Sequence, residues 1–318
     1  MSSNSTDPIF PADTFGPDGQ VVKSPYYEYL VSQGVAYTFV VLFSLTTAVH
    51  IGQAIYFRMW VLFPTVVLAG VGEILGWSGR LWSSYSPLDQ NPYLMQIVAT
   101  ILAPTPFVAA LFILFSRITQ KLGTQYSRLS PRWYARIFLT ADIIALVVQG
   151  AGGGLAATAN TDAGSNLGAN IMLGGIIFQL VALVIFIGIA TEYYMRYLAD
   201  RPIRFDAQSR RVEWGQRMRI FTGALVFIVI CILIRSIYRS AELADGWNGA
   251  IITTQIYFNL FDAAVVLLAI VTLNFFHPGY MLKVDGGKFQ AGETIVLGDT
   301  YNKEVSGPST PNTFDSRV

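Results

Sequence analysis

Seven charged side chains interrupt stretches of sequence that are otherwise strongly apolar: Glu73 and Arg80, Asp142, Arg235, Arg239 and Glu242, and Asp262. Their spacing is helical. Arg235, Arg239 and Glu242 fall at i, i+4 and i+7, and so do Gln255, Asn259 and Asp262, while Gln149 lies two turns beyond Asp142. A charge at the centre of a bilayer costs at least about 2.5–3.5 kcal/mol on insertion scales, so such residues pair, line a polar interior or mark a pathway. Glu73 and Asp262 are candidate partners for Arg235 and Arg239, and such pairs could serve only to fix helix register. The alternative is a polar cavity that receives a charged headgroup, in which Arg suits a phosphate or carboxylate and the acids suit an amine. Asp262 and Glu73 are also candidates for proton coupling.

The elements that carry these residues follow from composition. Of 318 residues, 53% are hydrophobic and 13% charged, with a formal net charge of +1 and a single cysteine, Cys231. Mean hydropathy is +0.47. Those values exclude a disordered chain, a disulfide scaffold and a basic nucleic-acid binder, and they argue against a soluble enzyme. A spanning helix needs roughly 20 apolar residues. Seven segments qualify: 33–54, 59–80, 93–116, 136–158, 169–191, 219–241 and 250–274. The sequence therefore predicts an all-α seven-helix bundle over 33–280, a polar segment 1–32 with no cleavable signal peptide, and a disordered tail 281–318.

Basic residues set the expected orientation. With the N-terminus outside, 17 of the 21 Lys and Arg fall on the inside, against Lys23, Arg80 and Arg239 outside and Arg235 within a helix. The C-terminus is then cytosolic, and Asn4-Ser5-Thr6 is a glycosylation sequon on the outer side. The Arg-rich stretch 192–219 reads first as a topology signal and second as an amphipathic helix on anionic lipid. Pro104 and Pro106 should kink the third span. Gly72-x-x-x-Gly76 and Gly150-x-x-x-Gly154 have the spacing of close helix contacts, and the run Gly150–Gly154 could loosen the fourth span.

Several chemistries fail by inventory. All five lysines lie outside the spans, so a retinal Schiff base has no residue to form on. His50 and His277 are the only histidines, too few for a three-His zinc site, though bis-His haem ligation stays open. P-loop, G-x-S-x-G and paired-Cys motifs are absent. No cofactor and no enzymatic activity are expected.

The motif Arg235-Ser-Ile-Tyr238-Arg239-Ser-Ala-Glu242, followed by Gly246, resembles the R-x-x-Y-R-x-x-E-x-x-x-G signature of the fungal lipid-translocating exporter family, the 7-aminocholesterol-resistance-like proteins. Glu73-x-x-Gly76-Trp77-x-x-Arg80 is similar to that family's second-helix motif, with Trp for the usual Tyr. Gln96 through Ala103-Pro104 to Ala109-Ala110, Asp142 through Gln149 to Gly152-Gly153-Gly154, Gly175-x-x-x-Gln179 and His277-Pro278-Gly279 follow in family order, covering about residues 30–280. Gln255 and Asn259 depart from the family's Glu and Tyr. The resemblance implies a seven-helix plasma-membrane protein that exports or flips sphingoid bases and confers resistance to amphiphilic toxins, with one branch linked to porphyrin or haem movement.

The leading expectation is thus a transporter of lipids or amphiphiles. Its headgroup site would draw on Glu73, Arg80, Asp142, Gln149, Arg235, Tyr238, Arg239, Glu242 and Asp262, with membrane lipids or amphiphilic small molecules as partners, and neither nucleic acid nor a named protein among them. A seven-helix lipid sensor signalling through its basic loops is the second reading. Ser116-Arg117-Ile118 lacks the acidic-Arg-aromatic triplet of G-protein-coupled receptors. Porphyrin or haem transport is a minor third.

Overall fold

The computed structural model describes residues 11–159, 161–204, 213–246 and 249–282. The sequon at Asn4, Arg210 and Arg211 in the 192–219 stretch, and the tail from residue 283 lie outside them. Among the described residues there is no strand, only an isolated antiparallel bridge between Phe15 and Val21. Seven helical spans are long and apolar enough to cross a membrane: α1 (Gln33–Tyr56), α2 (Trp60–Tyr85), α3 (Gln90–Leu122), α4 (Pro131–Thr158), α5 (Ala163–Leu198), α6 (Gln216–Asp245) and α7 (Gln255–Met281). Most are longer than expected: α2, α3, α5 and α6 run four to seven residues past their expected C-terminal ends and α4 starts five residues earlier, because polar and aromatic residues continue the helices beyond the apolar stretches. The seventh begins later, at Gln255, since residues 249–253 form a turn.

α3 is the central element. Its most apolar stretch is 72% buried, against 28% for α1 and for α4, whose outer faces carry Leu45, Val49, Ile143 and Val147 exposed. Apolar side chains facing outward suit a chain whose solvent is lipid. The helix α3 is interrupted at Ala103, just before Pro104. Proline has no N–H to give to the carbonyl four residues back, which here is Thr100. In α7 a π-helical turn, Asn259–Ala264, carries Asp262, and in α2 another runs over Phe63–Val67.

Two close approaches depend on glycine. A Cβ on Gly76 would lie 2.5 Å from Thr100 Cγ2, so α2 seats directly on α3. A Cβ on Gly168 would lie 2.4 Å from the Ala156 nitrogen and 2.6 Å from the Gly152 carbonyl oxygen, so α4 and α5 touch backbone to backbone. The expected Gly150/Gly154 contact is corrected here. Both face open space, and Gly152 makes the approach. Through the glycine run α4 continues as one helix from Pro131 to Thr158.

One end of the bundle gathers most of the basic loops. Ile203 donates its backbone N–H to Gln125 O at 2.8 Å, Arg128 and Arg196 both grip Glu192, and Lys121 bonds Leu282 O. The core behind that end is aromatic, built on Phe112, Phe115, Phe138, Phe186 and Tyr193. At the opposite end, residues 24–31 fold back against α2 and α3. Ser24 Oγ donates to Pro87 O at 2.8 Å and Tyr26 stacks on Tyr93 at 5.5 Å.

Candidate functional site

The proline in α3 creates the first part of the site. Thr100 O, without a helical N–H, accepts Arg235 Nη2 from α6 at 2.5 Å, and Thr100 Oγ1 accepts Arg239 Nη2 at 2.8 Å. Arg239 then reaches Asp262 with two bonds, Nε to Oδ1 at 2.9 Å and Nη2 to Oδ2 at 2.8 Å. Arg235 Nε lies 3.0 Å from Asp262 Oδ1. On its own helix Arg239 donates Nη1 to Glu242 Oε2 at 2.7 Å, and Tyr238 donates its hydroxyl to Glu242 Oε1 at 2.9 Å. Five of the nine residues singled out from sequence thus form one closed cluster of two cations and two anions, each 8% exposed or less. Bidentate guanidinium–carboxylate geometry is the arrangement in which buried charges best compensate each other.

Arg80 stands apart from it. Its Nη2 donates to Tyr29 Oη at 2.7 Å and its Nη1 to Gln96 Oε1 at 3.4 Å. Aromatic rings surround its guanidinium, with centroids at 4.5 Å for Phe258, 5.2 Å for Tyr27 and 5.6 Å for Tyr29 and Trp77. Among the described residues it makes no ion pair. Phe258 also lies 5.0 Å from Arg239 and so separates the two cation sites. Tyr27 donates to Gln96 Oε1 at 2.7 Å, and burial pushes its phenol up to about 12.

Glu73 is the acid left over. It is 1% exposed, and neither carboxylate oxygen has a hydrogen-bond partner. It lies within the electrostatic reach of Asp262, Arg235 and Arg239 but pairs with neither arginine. Thr47 Oγ1 and Trp77 Nε1 are also buried and unpartnered.

The remaining two residues form a different group. Gln149 Nε2 donates to Gln179 Oε1 at 3.0 Å, Gln179 Nε2 donates to Thr105 Oγ1 at 3.2 Å, and Gln179 also acts on Asp142. This ladder joins α3, α4 and α5. A cavity of about 10 Å³, room for one water, lies between Gln149, Gln179, Arg235, Ser236 and Arg239. The nine residues therefore divide into a closed ionic cluster, a caged Arg80, an unpartnered Glu73 and a lateral amide ladder. Among the described residues no group of three or more His, Cys, Asp or Glu could hold a metal. One ring nitrogen of His50 bonds Ile270 O and His277 Nδ1 accepts the Gly279 N–H, which leaves His50 Nδ1 and His277 Nε2 buried and without a hydrogen-bond partner.

Sequence reasoning missed Thr100, Phe258, Tyr27 and Tyr29. Thr100 had a signal, being four residues before a helical proline. The tyrosines lie in a segment read as a polar lead-in, and only the folded chain brings them to Arg80.

Seven apolar spans enclosing a buried ionic cluster define a multi-pass membrane protein. The sequence model of the family described as RTA1 like protein matches residues 66–285, more than half the chain, and the protein belongs to that family. It is 29% identical over 273 residues to the sphingoid long-chain base transporter RSB1 of Saccharomyces cerevisiae, covering 77% of this chain and 71% of the relative. It is also similar to protein RTM1 (29% over 200 residues, 63% of this chain and 62% of the relative) and to protoporphyrin uptake protein 1 (27% over 288 residues, 78% and 90%), both of Saccharomyces cerevisiae. No solved structure matches the chain significantly.

Proposed function

We propose that the protein moves a long-chain amphiphile with an amine headgroup, of the sphingoid-base class, across the membrane in which it sits, with its N-terminus outside and its basic end in the cytosol of a cell whose plasma membrane it occupies. The observation that carries this reading is Glu73, a fully buried carboxyl group with no partner on either oxygen beside a cluster whose other charges are matched. An unpaired carboxylate in a low-dielectric interior is costly, and an ammonium headgroup would supply the missing cation. Trp77 Nε1 and Thr47 Oγ1 offer a donor and an acceptor for the hydroxyls of an amino alcohol. The relative named as a sphingoid long-chain base transporter supports the same class.

The Arg235–Arg239–Glu242–Asp262 cluster, in this reading, is the fixed frame that joins α6 and α7 to α3. The alkyl tail stays in lipid. The segment carrying Tyr27 and Tyr29 closes the outer end, so a headgroup reaches Glu73 when α2 separates from its neighbours or that segment lifts. The test is flux of a fluorescent sphingoid base and a fluorescent phospholipid in liposomes holding the purified protein. Truncating one side of a buried charge pair costs about 2 kcal/mol or more, so Glu73→Gln should lower sphingoid-base flux roughly thirtyfold. Equal flux in wild type and Glu73→Gln refutes the assignment.

The relative named as a protoporphyrin uptake protein favours one other substrate. Arg80, a cation with no described ion pair, is the residue that would hold a carboxylate. Loss of porphyrin flux in Arg80→Gln, with Glu73→Gln unaffected, would select that reading.

A further inference from the structure

Asp142 is the second buried carboxyl group that the ionic cluster leaves unmatched. It is 1% exposed, in α4, and its Oδ2 has no partner. It takes no part in the headgroup reading, which rests on Glu73 of α2. From this placement we infer that Asp142 is a proton-binding site, loaded and unloaded during the transport cycle, with Gln179 as its switchable partner. The inference deepens the transport reading and rests on it for its role, while the site itself stands on geometry.

The argument begins with what a proton-exchanging carboxyl needs. A carboxylate fixed by cations has one preferred state. Asp262 is of that kind, held by three contacts from Arg235 and Arg239, and Glu242 is held by Arg239 and Tyr238. The hydrogen bonds that hold those two acids are committed to the frame that joins α6, α7 and α3. Among the described residues Asp142 makes no ion pair. The polar side chain acting on it is the amide of Gln179, from α5. An amide serves both forms of an acid: its NH2 donates to a carboxylate, and its oxygen accepts from a carboxylic acid. Gln179 has capacity for either, because Nε2 spends one hydrogen on Thr105 Oγ1 and Oε1 spends one lone pair on Gln149 Nε2. Gain or loss of the proton therefore exchanges one satisfied arrangement for another.

Among the described residues no charged side chain acts on Asp142. Gln179, which does, is bonded in turn to Thr105 of α3 and to Gln149 of α4, whose Oε1 is buried and unpartnered. The charges that face this ladder are Arg235 and Arg239, across the one-water cavity that Gln149 and Gln179 share with them. A water there would link the amides to the guanidiniums, so the state of Asp142 reaches the frame through Gln179. Thr105 sits directly after the α3 break at Ala103-Pro104, a weak point in the helix where a changed hydrogen bond has mechanical leverage. The step balances: the Asp142 carboxylate takes one proton from the aqueous phase on one side of the membrane and becomes a neutral acid, then returns that proton to the aqueous phase on the other side and is a carboxylate again.

Two measurements test the site. Infrared spectra of the reconstituted protein, recorded across a pH titration, should contain a carboxylic C=O band that Asp142→Asn removes. Gln179→Leu should move that band, since its hydrogen-bond partner is gone. A wild-type protein with no band that either variant alters overturns the inference, whether or not any probe is transported. In liposomes, a pH gradient should raise sphingoid-base flux in the wild type severalfold, and flux through Asp142→Asn should be the same with and without the gradient. Gradient-driven flux through Asp142→Asn equal to wild type also overturns it. If the wild type moves neither probe, the transport reading fails and the infrared band alone decides whether Asp142 binds a proton.

Discussion

Asp262→Asn should loosen the whole bundle, and Cys231 can report it. Asp262 is 1% exposed and receives two bonds from Arg239 and one contact from Arg235, all within 3.0 Å. Asn keeps the shape and one carbonyl oxygen but leaves two buried guanidiniums against the single charge of Glu242. Breaking a buried ion pair from one side costs about 3–5 kcal/mol. At 1.36 kcal/mol per factor of ten, the open population rises by roughly two to nearly four orders of magnitude. Cys231 is the chain's one cysteine, 3% exposed and one turn before Arg235. Its labelling by a maleimide dye in mild detergent tracks that open population when closing is fast. The double variant Asp262→Asn/Arg235→Gln removes one charge of each sign, so it should label at least tenfold more slowly than the product of the single effects implies. Labelling of Asp262→Asn within about threefold of wild type would refute the claim that the cluster is a desolvated lock. So would a double variant in which the two effects simply multiply.

Other expectations follow from the same geometry. Pro104→Ala returns an N–H that competes for Thr100 O, so Arg235→Gln should cost at least about 1 kcal/mol less in that background than in wild type, read by the same Cys231 assay. Gly168→Ala places a methyl group against the α4 backbone and should destabilise by about 1–3 kcal/mol, whereas Gly154→Ala, facing open space, should be neutral or slightly stabilising by thermal unfolding. The buried Tyr27 phenol, up at about 12, binds its proton more tightly folded than unfolded. Its contribution to holding the N-terminal segment is full below pH 10 and is lost as pH rises from there toward 12. The difference in phenolate absorbance between wild type and Tyr27→Phe should have its midpoint near pH 12, and a midpoint near 10 would mean that the segment does not dock.

Much of the bundle is legible in the sequence because membrane helices obey a local rule. A span must satisfy its own backbone and present apolar side chains to lipid, so length and hydropathy alone locate α1 to α7. The α3 break is equally local, since Pro104 removes a specific hydrogen bond wherever the helix is placed. The i, i+4, i+7 spacing also places Arg235, Arg239 and Glu242 on one stripe, and their burial together follows from it.

Tertiary structure decided which charge meets which. Glu73 and Asp262 are equivalent candidates for the arginines in sequence, but the π-helical turn at Asn259–Ala264 delivers Asp262 to both, and Glu73 is left without a partner. Asp142 and Gln149 read as part of the same stripe, yet the α4–α5 backbone contact at Gly152 and Gly168 commits them to Gln179 instead. The residues around Arg80 come from four elements far apart in the chain, Tyr27 and Tyr29 before α1, Trp77 in α2, Gln96 in α3 and Phe258 in α7. Hydropathy is a property of each segment against its solvent, so one sequence determines it. Pairing of buried charges depends on distances of a few ångströms between segments, and only the packed bundle fixes those.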